Sequence, residues 1–131
     1  MAVHELKHKP EPQVHHGSFS RPNDVRSFEH GEVKVVSLGG VTFGRAVFEP
    51  GWRWSSHVKP LANTRSCQCA HLNLHLSGRL RVAMDNGKEY EFGPGEISEI
   101  PPGHDDWVVG NEPAVMIDIT GMEQYARKTK K

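Results

Sequence analysis

The chain has 131 residues, with 16 basic and 16 acidic side chains, zero formal net charge and 36% hydrophobic content. That length fits one domain around one core, and neutrality leaves no electrostatic footprint for nucleic acid or an anionic membrane surface. A small-molecule or protein partner is the expectation that remains.

Residues 1–24 are rich in His, Lys, Pro and Glu and nearly lack large apolar side chains. They are expected to form an arm or flexible segment, with His4, His8, His15 and His16 solvated. The opening MAVHELKHKPEPQ has no apolar run, so no secretory signal is expected. No segment reaches the length of a membrane helix, and the expected location is cytoplasmic.

Residues 25–122 read as one β domain. Glu32–Leu38 is valine-rich, Gly39-Gly40 is a hairpin turn signal, and Val41–Glu49 places Val41, Phe43, Arg45 and Val47 on one face. After Pro50-Gly51 comes a further short segment, Trp52–Val58, and then a loop from Lys59 to Arg65. Cys67–Leu76 is the next strand, closed by Ser77-Gly78. Arg79–Met84 alternates, Asp85-Asn86-Gly87 is a turn, and Lys88–Phe92 returns with Tyr90 and Phe92 together. Gly93-Pro94-Gly95, Glu96–Ile100, Pro101-Pro102-Gly103, Asp106–Val109 and Ala114–Thr120 complete the pattern. Residues 123–131 read as a tail, with a short helix expected within Gly121–Lys131. About ten short strands bounded by turns, and no sustained 3.6-residue period, indicate an antiparallel sandwich or barrel.

Histidines recur at the ends of separate strands. On Cys67–Leu76, residues two apart share a face, so His71, Asn73 and His75 point one way and Ala70, Leu72, Leu74 and Leu76 the other. Two readings stay open. By binary patterning the leucines are the core and the histidines face water. In the alternative, the polar face lines a cavity and the leucines pack under a partner or the arm. His104 and Asp106 also share a face, and His57 approaches from a third segment. Neutral imidazoles with a carboxylate can hold a divalent transition ion. Cys67 and Cys69 lie on the face of His71 and are read as small packing residues, with a thiolate ligand as the alternative. A disulfide across one intervening residue is geometrically poor.

Two half-motifs resemble the cupin superfamily. Gly51, five residues and His57 resemble the start of its first motif, which Gly78 closes; Gly95, five residues and Pro101-Pro102-Gly103 resemble the start of its second. The resemblance spans roughly residues 30–120. It implies an all-β, jelly-roll barrel of antiparallel strands with one divalent metal (Fe, Ni, Mn, Cu or Zn), and a homodimer. The chain departs from the pattern. The second histidine slot holds Lys59, the glutamate slot holds His71, and Pro60–Ala70 is inserted. In the second motif Asp106 fills the histidine slot, His104 stands two residues earlier, and Gly110 fills the asparagine slot.

With the resemblance, His57, His71, His75 and His104 are the expected metal ligands. Asp106 is the expected catalytic base, or else a ligand or a hydrogen-bonding partner of one. Trp54, Lys59, Asn73 and Trp107 are expected to line the substrate pocket. The function implied is a metal-dependent enzyme acting on a small organic molecule, of dioxygenase, isomerase, lyase or cyclase type. The alternative is a non-catalytic small-molecule-binding or structural module.

Overall fold

The computed structural model describes residues 11–119, 122 and 125–127. His4 and His8 lie outside the described residues, as does most of the segment expected to be a C-terminal helix. Within that segment, Met122 and Tyr125 are buried against the core. The part read as a tail therefore reaches back into the domain.

Nine strands are present among the described residues: β1 (Asp24–Phe28), β2 (Gly31–Leu38), β3 (Val41–Phe48), β4 (His71–Ser77), β5 (Arg79–Met84), β6 (Glu89–Phe92), β7 (Ile97–Ile100), β8 (His104–Val109) and β9 (Ala114–Ile119). Six form one antiparallel sheet in the order β1-β2-β3-β9-β4-β7, and three form a second in the order β6-β5-β8. The architecture is all-β, as expected, and the sheets are not closed into a continuous barrel. No helix among the described residues is long and apolar enough to cross a membrane.

Strands β3, β4, β7, β8 and β9 follow the two-residue alternation over most of their length, and their buried residues mark the inner face. On β3 the core face is Gly44, Ala46 and Phe48; the set Val41, Phe43, Arg45 and Val47 lies on the partly exposed outer face. Phe48 stacks on Trp52 with ring centroids 3.8 Å apart, which anchors the segment leaving β3. Trp52–Val58 does not form a strand. Trp54–His57 is a single helical turn, α1, followed by α2 (Lys59–Ala62), which has a proline in its first turn and ends on left-handed Asn63. Trp54 and Val58 plug this turn into the core, at 1% and 0% exposure, so burial overrides the β tendency of a Trp-rich stretch. Gly78, at φ +71°, is required: a Cβ there would lie 2.0 Å from the Pro113 carbonyl oxygen.

Strand β4 settles the question its two faces posed. His71, Asn73 and His75 are 6%, 3% and 3% exposed, whereas Leu72, Leu74 and Leu76 are 40%, 39% and 45% exposed. The polar face lines the interior and the leucines point outward.

Candidate metal centre

The inner centre is assembled from two strands and one loop. Just before β4, Cys67 forms an isolated antiparallel bridge with His104, the first residue of β8. The Cys67 N–H donates to the His104 carbonyl at 2.8 Å, and the Gly103 N–H donates to the Cys67 carbonyl at 2.7 Å. Directly paired residues project to the same side, with Cβ atoms about 5 Å apart. His71 arrives from the opposite sheet. Cys67, His71 and His104 are all buried, and each offers a ligand atom within 4.8 Å of the others.

Each histidine is held by its far nitrogen. His71 donates from Nδ1 to a carboxylate oxygen of Asp118, which is fully buried on β9. That bond leaves Nε2 facing Cys67 Sγ at 3.6 Å. His104 directs Nδ1 at the Pro101 carbonyl, 2.9 Å away, and its Nε2 is buried without a protein partner. A carboxylate or carbonyl on the outer nitrogen is the usual way a metal-binding imidazole is oriented and its basicity raised.

The electrostatics follow from burial. Burial and the neighbouring His71 push His104 down to about 4, so it is a neutral imidazole at ordinary pH. Burial also disfavours the His71 cation, but the Asp118 hydrogen bond and charge outweigh it and the net direction is upward. The hydrogen bond with Cys69, then burial, push the Cys67 thiol up. The same hydrogen bond brings Cys69 down to about 7. Burial raises Asp106 to about 7, against the pull of His71.

Next to these groups is a cavity of about 10 Å³ lined by His71, Asn73, Asp106 and Tyr125, with Phe48, Met116 and Met122. That is room for about one water-sized particle. Asn73 Oδ1, Asp106 Oδ1 and the Tyr125 hydroxyl are each buried without a hydrogen-bond partner. Buried polar atoms are ordinarily satisfied, so this concentration marks a polar pocket and not a packed core.

The residues fit a metal. Around a tetrahedral ion, one sulfur at about 2.3 Å and one nitrogen at about 2.0–2.1 Å lie roughly 3.6 Å apart. The Cys67–His71 separation of 3.6 Å meets that spacing. The donor set is one soft sulfur and two imidazoles, with the far nitrogen of each imidazole already engaged.

The other expected ligands lie elsewhere. His57, at the end of α1, is grouped with Glu29 and His30 at the β1–β2 turn. Its Nδ1 is tied to the Arg53 backbone, 3.0 Å from the N–H and 3.1 Å from the carbonyl. The helical turn that replaced the expected extended segment carries it away from the interior. His75 faces inward but bonds Ser98 Oγ at 2.8 Å and stacks on Phe92 with centroids 5.2 Å apart. Strand geometry explains the separation: side chains four apart on one strand stand about 13 Å apart along it.

The expected pocket residues divide in the same way. Asn73 lines the inner cavity. Trp54 is a core residue. Trp107 is on the outer face of β8, with the Arg53 guanidinium 4.1 Å from its ring centroid. Lys59 lines a separate, shallow depression with Ser55, Pro60, Asn63, Thr64 and Arg65. A cleft of about 480 Å³ opens over β5, β6 and β7 instead, walled by Met84, Tyr90, Phe92, Ile97 and Ile100, with Val82 and Ser98 at its floor. Met84 pairs with His104, Val82 with Asp106, Ile100 with His71 and Ser98 with Asn73. Cross-strand partners share a face, so the floor of the cleft borders the inner centre.

Sequence reasoning read Cys67 first as a packing residue and second as a thiolate ligand, and passed over Asp118 and Tyr125. Asp118 carried a readable signal: it continues the core face of β9 after Ala114 and Met116, where an acidic side chain requires a partner. Tyr125 had no such signal, because its segment has no strand pattern.

Neither a protein-family model nor a curated protein sequence matches the chain. Solved structures do match. A Rhizobium leguminosarum bv. viciae 3841 protein of unknown function is 26% identical, with a TM-score of 0.53 over 70% of this chain and 80% of that one. The polyketide cyclase RemF from Streptomyces resistomycificus is 14% identical, with a TM-score of 0.58 over 85% of this chain and 81% of that one. The cupin-like protein TM1010 from Thermotoga maritima MSB8 is 19% identical, with a TM-score of 0.52 over 78% and 75%. The two half-motifs, the paired antiparallel sheets and these structural likenesses agree: the chain has the cupin superfamily fold.

Proposed function

We propose that the protein is a metal-dependent enzyme acting on a small organic molecule at a Cys67–His71–His104 centre. The observation that carries this reading is the convergence of three buried donor atoms, two from imidazoles whose far nitrogens are already held. A thiolate with two imidazoles suits Zn, Fe, Ni or Cu better than Mn. When bound, such an ion supplies Lewis acidity toward a substrate oxygen or an activated water.

The chain's own residues supply the rest. Asp118 and the Pro101 carbonyl fix the two imidazoles, and the hydrophobic shell of Phe48, Met116 and Met122 keeps bulk water away. Substrate lies in the 480 Å³ cleft, a volume within the range of small-molecule sites. Asp106, paired across the strands with Val82 of the cleft floor, is the group that takes or returns a proton, and the unpartnered Asn73 Oδ1 and Tyr125 hydroxyl are the polar groups lining the small cavity beside it. RemF, one structural neighbour, is a polyketide cyclase, but at that identity its likeness supports the fold alone. The reading includes a homodimer, with a second copy of the chain over the outward leucines of β4.

A second reading has its own observation. Without an ion, Cys67 and His71 already satisfy one another, and the cleft over β5, β6 and β7, which mixes apolar walls with Asn86, Ser98 and Glu99, stands as a ligand site in a non-catalytic binding module. Elemental analysis separates the two. After dialysis against a weak chelator, wild-type protein is expected to keep about one equivalent of a transition metal, and His71→Ala and His104→Ala each to lose it while folded by circular dichroism. Metal-free wild type that stays so after add-back would sink the enzyme reading and leave the binding module.

A further inference from the structure

We infer that Glu29, His30 and His57 form a second binding site, at the protein surface, for a borderline divalent transition ion of the Zn²⁺ type. It is separate from the inner centre and shares no residue with it. The three residues each offer a ligand atom within 4.8 Å of one another. His57 Nε2 is 3.7 Å from Glu29 Oε1, and His30 Nε2 is 3.9 Å from Glu29 Oε2. Two donors at about 2.0–2.1 Å from a tetrahedral ion lie roughly 3.3 Å apart. The two separations, each to a different oxygen of Glu29, exceed that spacing by about half an ångström, and the Glu29 side chain is 74% exposed and can adjust.

The local structure prepares this arrangement. His57 is fixed on α1, where the Arg53 backbone holds its Nδ1, 3.0 Å from the N–H and 3.1 Å from the carbonyl, and Nε2 is the ring nitrogen turned toward Glu29. Its side chain is 12% exposed, so it is a rigid anchor. His30 meets it edge-on, with ring centroids 4.9 Å apart. His30 holds φ +65°, in the left-handed region that a side-chain-bearing residue adopts at some cost. The turn it caps is anchored by Phe28, which packs on Phe48 and Trp52. Two imidazoles and one carboxylate suit a Zn-like ion and not Mg²⁺ or Ca²⁺, which select all-oxygen shells. The exposed side leaves an entry path and a coordination position for water or a partner's side chain. Bound there, the ion would clamp the β1–β2 turn to α1.

The test is calorimetric titration of chelator-stripped full chain with Zn²⁺, in wild type, Glu29→Gln and His30→Gly. His30→Gly removes the ligand while favouring the positive φ, so the variant is expected to fold; thermal melts without metal check this. Wild type should show one more class of site than His30→Gly, and Glu29→Gln should weaken that class by about tenfold or more. Substituting Co²⁺ keeps the two sites distinct, because only the inner centre contains sulfur. The thiolate-to-cobalt absorption should be unchanged in both variants. Identical Zn²⁺ isotherms in all three proteins would overturn the inference. So would a second wild-type class seen only at millimolar Zn²⁺, which is adventitious surface binding.

Discussion

At the scale of single residues, the site is a matter of which nitrogen and which oxygen is already used. His71 and His104 were visible in the sequence because histidine on an alternating strand is chemically conspicuous. Cys67 was less so, since a buried cysteine reads first as a small apolar residue and only second as a ligand; its backbone bridge to His104 is what sets it beside the histidines. His75 shows the converse. It is as buried as His71, yet Ser98 and Phe92 occupy it. Its titration yields a prediction. Burial holds folded His75 below the usual 6.5, with Glu96 opposing. Below the ordinary value the unfolded chain therefore binds more protons at this residue than the folded one. The stability it contributes is intact above about pH 6.5 and is lost as pH falls toward the folded value. Urea unfolding at pH 7.5 and 5.5 should show a smaller pH-dependent loss in His75→Gln than in wild type. Equal losses would mean that His75 does not titrate with folding.

At the scale of elements, most strand positions were legible, though β1 was not anticipated; the inner face of β4 was not legible. Turn residues at Gly39-Gly40, Asp85–Gly87 and Gly93–Gly95 punctuated the chain, and β2, β3, β5, β6, β7 and β9 fall within a residue or two of where they mark strands. Strand β4 has two faces of equal periodicity, and periodicity alone cannot say which is wet. The answer depends on what opposes each face: His71 meets Asp118, whereas the leucines meet nothing within the described chain that buries them. The α1 turn was missed because Trp54 and Val58 are held by tertiary packing, against a local pattern that suggested extension. The exposed leucines carry the homodimer part of the proposal. Leu74→Lys should leave the fold and the inner centre intact and shift the sedimentation mass from dimer to monomer. A wild-type monomer, or a dimer unaffected by this change, would place no partner on this face.

At the scale of the whole molecule, the centre exists because residues far apart in sequence are brought together by the pairing of the sheets. His71 and Asp118 meet through the β4–β9 pairing. Cys67 and His104 meet through a bridge that continues the small sheet beyond β8. Neither pairing is encoded in local sequence, which is why the fold could be anticipated from motifs while the grouping of Cys67 with His71 and His104 could not. The expected four-histidine pocket is divided into an inner Cys–His₂ group and an outer Glu–His₂ group, with His75 in neither. Departures from the resembled motifs are thus coordinated: Asp106 occupies a histidine slot, and Cys67, from the inserted Pro60–Ala70 stretch, reaches the centre.

The most direct test of the account is the absorption spectrum of the Co²⁺-loaded full chain, in wild type and Cys67→Ala. The account predicts a thiolate-to-cobalt charge-transfer band in wild type that disappears in Cys67→Ala. Cobalt bound without that band, or a band that survives loss of Cys67, would contradict a centre built on Cys67, His71 and His104.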